Sequence, residues 1–159
     1  MALDQAWLEV LGKMPHGIYV LTCRHGEDLN GMIASWVTQV SYAPPLILVA
    51  IHPNRYSHRL IEAGGSFALH LLGKDHPGMI HRFKGPDPAA KFDGLDWRPG
   101  KNGSPVLKGV LGFMDCVVVE TYRPGNHTLY VGKVVDAALY APGHPLSTLD
   151  YEKTYVGRD

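Results

Sequence analysis

The 159-residue sequence predicts a mainly β protein, an antiparallel barrel of Greek-key type with a few short helices. Three observations carry that prediction. Six or so short runs are rich in Val, Ile, Thr, Tyr and Phe and are punctuated by Gly, Pro and Asn. No strand–helix–strand rhythm links them, which argues against a parallel sheet. Two long apolar runs, 109–122 and 128–140, flank Pro124-Gly125-Asn126, a hairpin signal.

Residues 3–11 place Leu3, Ala6, Trp7, Val10 and Leu11 at helical spacing; Asp4 suits the start, and Gly12 and Pro15 end the run. Residues 17–23 read as a strand, and 24–28 turn around Gly26. The stretch 30–51 organises the chain. Asn30 to Trp36 mixes small, hydroxyl and aromatic side chains, and 37–41 alternates as a half-buried strand does. Pro44-Pro45 stops that strand, and 46–51 is apolar on both faces, as in a buried strand. Residues 52–57 are turn-like, and Ser57 can cap a short helix that Gly64-Gly65 stops. Another strand spans 66–72, and a short helix follows over 76–83. From 84 to 104 the composition shifts to Gly, Pro, Asp and Lys: a surface excursion with one helical turn at 89–92. The tail from 142 carries Tyr151 and Tyr155 without usable periodicity.

Length and composition predict a single domain over 1–159 with an ordinary core, at 45% hydrophobic and 19% charged residues. A formal net charge of zero and the absence of a basic block disfavour nucleic acid and anionic membrane as main partners. The first residues resemble no signal peptide, and no apolar run approaches the roughly 20 residues that span a bilayer. Cys23 and Cys116 form no CxxC pair and read as buried free thiols, consistent with a cytoplasmic protein.

Chemistry is first read by elimination. No GxGxxG follows a strand, GKNGS at 100–104 is no phosphate loop, and no GxSxG elbow or HExxH motif is present. His76 and His81 are not spaced to share a helix face, so no metal is assigned. What remains is an anion site, where unpaired N–H groups at the start of the helix near Ser57 meet Arg55, His58, Ser35 and Ser41. The alternative is a plain helix cap beside a solvated Arg. A small barrel fills its own interior, so a ligand site is expected outside it, under the surface loop or against a second subunit.

The stretches NGMIASWVTQVSYAPPLILVAI and NRYSHRLIEAGGSFALHLL, followed in order by HRFKG, AAKFDGLDW, GSPVLKGVLGFMDC and GNHTLYVGKVVDA, resemble the flavin reductase-like family with an FMN-binding split β-barrel. The resemblance implies a homodimer holding one FMN per subunit, with FAD as an alternative, and NAD(P)H as a transient hydride donor. It assigns Asn30, Met32, Ala34, Ser35 and Trp36 to the wall along the flavin, and Val40 and Ser41 to the next flavin-contacting turn. Asn54, Arg55, Ser57 and His58 match its phosphate-binding turn, and Lys91 the loop's Lys-Phe pair. His127 matches a histidine near the nicotinamide and is the one candidate catalytic residue. Where the family reads Gly-Asp-His this chain has Gly125-Asn126-His127, which makes His127 harder to protonate and leaves its orientation open. Asp115-Cys116 replaces the commoner Glu-Cys. The implied activity is NAD(P)H:flavin reduction, the reduced flavin serving an oxygenase or another acceptor. A flavoredoxin-like electron carrier reduced by a protein partner is the alternative.

Overall fold

The computed structural model of the protein describes residues 3–151 and 155–157, and of Pro77 the backbone alone. In chain order these form α1 (Gln5–Leu11), β1 (Tyr19–His25), β2 (Asp28–Ala34), β3 (Val37–Ser41), β4 (Leu46–Ile51) and α2 (Tyr56–Gly64). There follow β5 (Ser66–Leu71), α3 (Pro77–Phe83), a 3-10 turn (Ala90–Phe92), β6 (Trp97–Pro99), β7 (Pro105–Leu107), β8 (Gly112–Tyr122) and β9 (Thr128–Leu139).

Seven strands make one antiparallel sheet in the order β2-β1-β5-β8-β9-β4-β3. Its two edge strands, β2 and β3, are consecutive in sequence, joined only by Ser35 and Trp36. Such a sheet must curl until its edges approach, so the barrel is split along a seam at that junction. The Trp36 carbonyl accepts from Ala50 N–H (3.0 Å), which ties the junction to β4.

β1 is buried on both faces because two cores meet across it. Leu21 and Cys23 join Val49, Phe67 and Tyr130 inside the barrel, which Leu60 and Ile61 of α2 plug. Val20 faces the other way, toward Ile80 and Phe83 of α3, Phe92 and Leu107. This second core lies under the excursion that composition predicted. The excursion is more ordered than expected, since β6 and β7 pair as a small hairpin within and just beyond it. His70 on β5 pins that hairpin: its Nδ1–H donates to the Val20 carbonyl, and Leu107 N–H donates to its Nε2, each at 3.0 Å.

Two local expectations need correction. The N-cap of α2 is Arg55, not Ser57; Ser57 lies inside the first turn, and its hydroxyl accepts from Asn30 Nδ2 (3.0 Å). Gly65, at φ +70°, does end that helix. The tail, for which no role was legible, is stitched to the sheet by bridges from Ser147 to Gly17 and from Pro145 to Gly73. Asp115, shorter than the Glu of the common pattern, is buried. One of its oxygens accepts from Lys101 N–H (2.8 Å), and the other has no hydrogen-bond partner in the structure.

Candidate functional site

The barrel interior is filled by side chains, and a cavity of about 570 Å³ opens outside it, along the seam. That volume suits a small-molecule or cofactor site, which typically spans roughly 300–1,000 Å³. β2 and the β2–β3 junction supply Asn30, Met32, Ala34, Ser35 and Trp36. The turn after β4 adds His52, Asn54 and Arg55. Ile80 and Phe83 of α3, Lys84, Gly85, Pro86 and Pro88 of the following loop, Lys91 and the tail residues Tyr151 and Tyr155 also line it.

Local sequence explains the shape. Ala34 and Ser35 keep the seam low, so backbone is close to whatever lies against Trp36. Arg55 N–H donates to the His52 carbonyl (3.0 Å), closing a tight turn that delivers Arg55 and the first N–H groups of α2 to the cavity. Lys91, almost fully buried, donates from Nζ to Asn30 Oδ1 (3.0 Å) and to the Gly31 carbonyl (2.8 Å). Burial lowers its pKa; the Cys23 thiol counters this, and the nearby Arg55 charge lowers it further. Two cations thus share one partly dry wall, an arrangement that favours an anion between them.

Eight of the residues singled out in the sequence line this cavity: Asn30, Met32, Ala34, Ser35, Trp36, Asn54, Arg55 and Lys91. Ser57 stands behind it, holding Asn30. His58 faces the barrel, its Nε2 2.8 Å from Thr128 Oγ1, and burial lowers its pKa. Val40 and Ser41 lie on edge strand β3 outside the lining, with Val40 49% exposed.

His127 is only 6% exposed and stands behind Trp36, ring centroids 4.6 Å apart. Its Nδ1 lies 2.7 Å from Asn126 Oδ1, so an amide oxygen and not a carboxylate meets this ring nitrogen. Residue types missed in the sequence are the apolar α3 pair, Ile80 and Phe83, and the tail tyrosines. Their approach depends on long-range packing, and the only visible signal was two tyrosines four apart.

A seam cavity walled by small residues and bearing a cationic turn marks the fold as a split barrel. The chain belongs to the family described as flavin reductase like domain, whose pattern matches residues 11–157. It is 32% identical over 148 residues to the reductase subunit of a flavin-dependent monooxygenase from Mycobacterium tuberculosis, covering 93% of this chain and 79% of that one. A diflavin flavoprotein of Synechocystis is 30% identical over 155 residues; the match covers 96% of this chain but only 27% of that longer protein. Among solved structures, an NADH:FAD oxidoreductase of Streptomyces globisporus superposes with a TM-score of 0.83 at 28% identity, covering 92% of this chain and 90% of that one.

Proposed function

We infer that the protein is an NAD(P)H-dependent flavin reductase that binds FMN, with FAD as the alternative, in the seam cavity. The observation that carries this reading is the junction of the flat Ala34–Trp36 wall with the Arg55 turn in one cavity. The donor set fits a flavin phosphate. Arg55 offers a planar fork, Asn54 an amide, and α2 its unpaired N–H groups. When bound, the flavin supplies the hydride-accepting centre, so no acid–base triad is required of the protein.

The chain's own residues then bind, orient and shield. Ser35 and the backbone beside it would hold the ring's polar edge. Met32, Trp36 and Phe83, which line the cavity, would keep water from the bound ring. Lys91 holds Asn30 and the surface excursion in register with the phosphate turn. His127 is not in the cavity lining and stands behind Trp36, so any part it takes on the nicotinamide side, which the resemblance assigns it, runs through or past that ring. Without a dinucleotide fold, the nicotinamide is held by stacking and modest contacts, which implies weak nucleotide selectivity.

The relation to a monooxygenase reductase subunit supports delivery of reduced flavin to an oxygenase. A second reading is an electron carrier reduced by a protein partner, in keeping with the match to one part of a longer diflavin flavoprotein. We also propose a homodimer. α1 has no buried residue although Trp7 and Val10 are 61% and 70% exposed, and an apolar helix face of that kind suits a second copy.

Oxidation of NADH and NADPH by purified protein, with FMN or FAD added, tests the main reading. Turnover that depends on added or bound flavin is expected. Tight FMN without turnover by either nucleotide would instead establish the carrier.

A further inference from the structure

Tyr155 lines the cavity beside Trp36 and His52. Its hydroxyl lies 2.7 Å from His127 Nε2, on the ring nitrogen that Asn126 does not reach. The Tyr155 ring centroid is 5.0 Å from that of Trp36 and 5.8 Å from that of His127, so the three rings close a triangle. Two residues further on, Gly157 rests on the same pair at φ +87°. A Cβ there would meet Trp36 Cη2 at 2.7 Å and His127 Cε1 at 3.5 Å, so glycine is required both for the backbone angle and for the space. The tail is therefore seated on Trp36 and His127 through the Tyr155 hydroxyl, the Tyr155 ring and the close approach of Gly157.

We infer that Tyr155 is a positioning residue for His127, its hydroxyl setting the imidazole plane while its ring closes the cavity wall against Trp36. This rests on the reductase reading and on the resemblance that assigns His127 to the nicotinamide side. His127 comes from the hairpin between β8 and β9. A ring gripped at one nitrogen can swing about that bond; gripped at both, it holds its plane. Reaction between stacked rings is sensitive to such small misplacements. A tyrosine supplies the second grip with few rotamers to lose.

The test uses the full chain. Tyr155→Phe removes the hydroxyl and keeps the ring. Long-range proton–nitrogen spectra of the imidazoles, taken without flavin at one pH, are expected to show the His127 nitrogen resonances moving in the variant. His70, gripped at both nitrogens in the core, serves as the control and stays put. With saturating FMN, the KM for NADH is expected to rise about three- to tenfold, the range for losing one hydrogen bond, with the KM for FMN unchanged. Unmoved His127 resonances overturn the proposal, and so do moved resonances with an unchanged nucleotide KM. If Tyr155→Phe does not fold, 3-fluorotyrosine at 155 keeps the shape and alters only the hydroxyl's acidity, and must also move the His127 signals. A wild-type protein with no flavin-dependent nucleotide oxidation defeats the reductase reading alone; the imidazole spectra then decide whether Tyr155 holds His127.

Discussion

Lys91 Nζ donates to Asn30 Oδ1 at 3.0 Å, and Asn30 Nδ2 in turn donates to Ser57 Oγ at 3.0 Å. One buried relay thus ties the surface excursion to β2 and to the first turn of α2. Lys91→Met keeps the stem and removes the donor, stranding Asn30 Oδ1. The expected loss is about 2 kcal/mol of folding stability, as for a hydrogen bond to a charged group, read from urea denaturation midpoints at constant m. An unchanged midpoint would show that the relay does not hold the loop.

Arg55 is the cation proposed to meet the flavin phosphate. Arg55→Lys keeps the charge and loses the planar fork; Arg55→Ala loses both. Affinity for FMN, followed by quenching of flavin fluorescence, should fall by about tenfold for the lysine variant and further for alanine. Affinity for riboflavin, which lacks the phosphate, should change little in either variant. Equal losses for both ligands would remove Arg55 from the phosphate site.

His70 predicts an acid limit to stability. Burial holds its pKa down to about 4 against a usual 6.5, with only partial compensation from the Val20 carbonyl. The unfolded chain therefore takes up a proton near 6.5 that the folded chain refuses until about 4. Stability is complete above the upper value and falls as pH drops through that window, by up to about 3 kcal/mol. His58, also depressed by burial, adds in the same direction. Urea melts between pH 7 and 4 should show the slope. His70→Phe should flatten it while lowering stability at pH 7, because Leu107 N–H is then left unpaired.

Both thiols should be inert in the native state. Burial pushes Cys23 and Cys116 each up to about 12, so neither presents thiolate at pH 8. A thiol reagent should react with neither until denaturant is added, then with both. Rapid labelling of the folded protein would contradict the packing around β1 and β8.

Much of this was legible in the chain. The bounds of β3, β4 and the hairpin between β8 and β9 come from local signals and stand within a few residues of where the sequence places them. Burial along them does not follow the pattern: β3 is exposed at its centre, and β4 fully buries only Ile47, Val49 and Ile51, because each strand's exposure depends on what packs on its faces. The wall from Asn30 to Trp36 and the turn at Asn54–Arg55 were legible because each is one contiguous motif. The cap was misplaced because Ser57 satisfies Asn30 across the barrel instead of the helix's own N–H groups, and a single sequence does not show a competing partner 27 residues away.

Sequence alone determined the fold class, the composition of the flat wall and the presence of a cation beside a helix start, since each depends on neighbours along the chain. The tertiary structure decided that the two sheet edges meet at Ser35–Trp36. It also decided that Lys91 reaches back to Asn30, and that the tail brings Tyr155 onto His127. The last two contacts join segments far apart in sequence, and all three are set by how the curled sheet brings its edges and its coverings together, which no local pattern encodes.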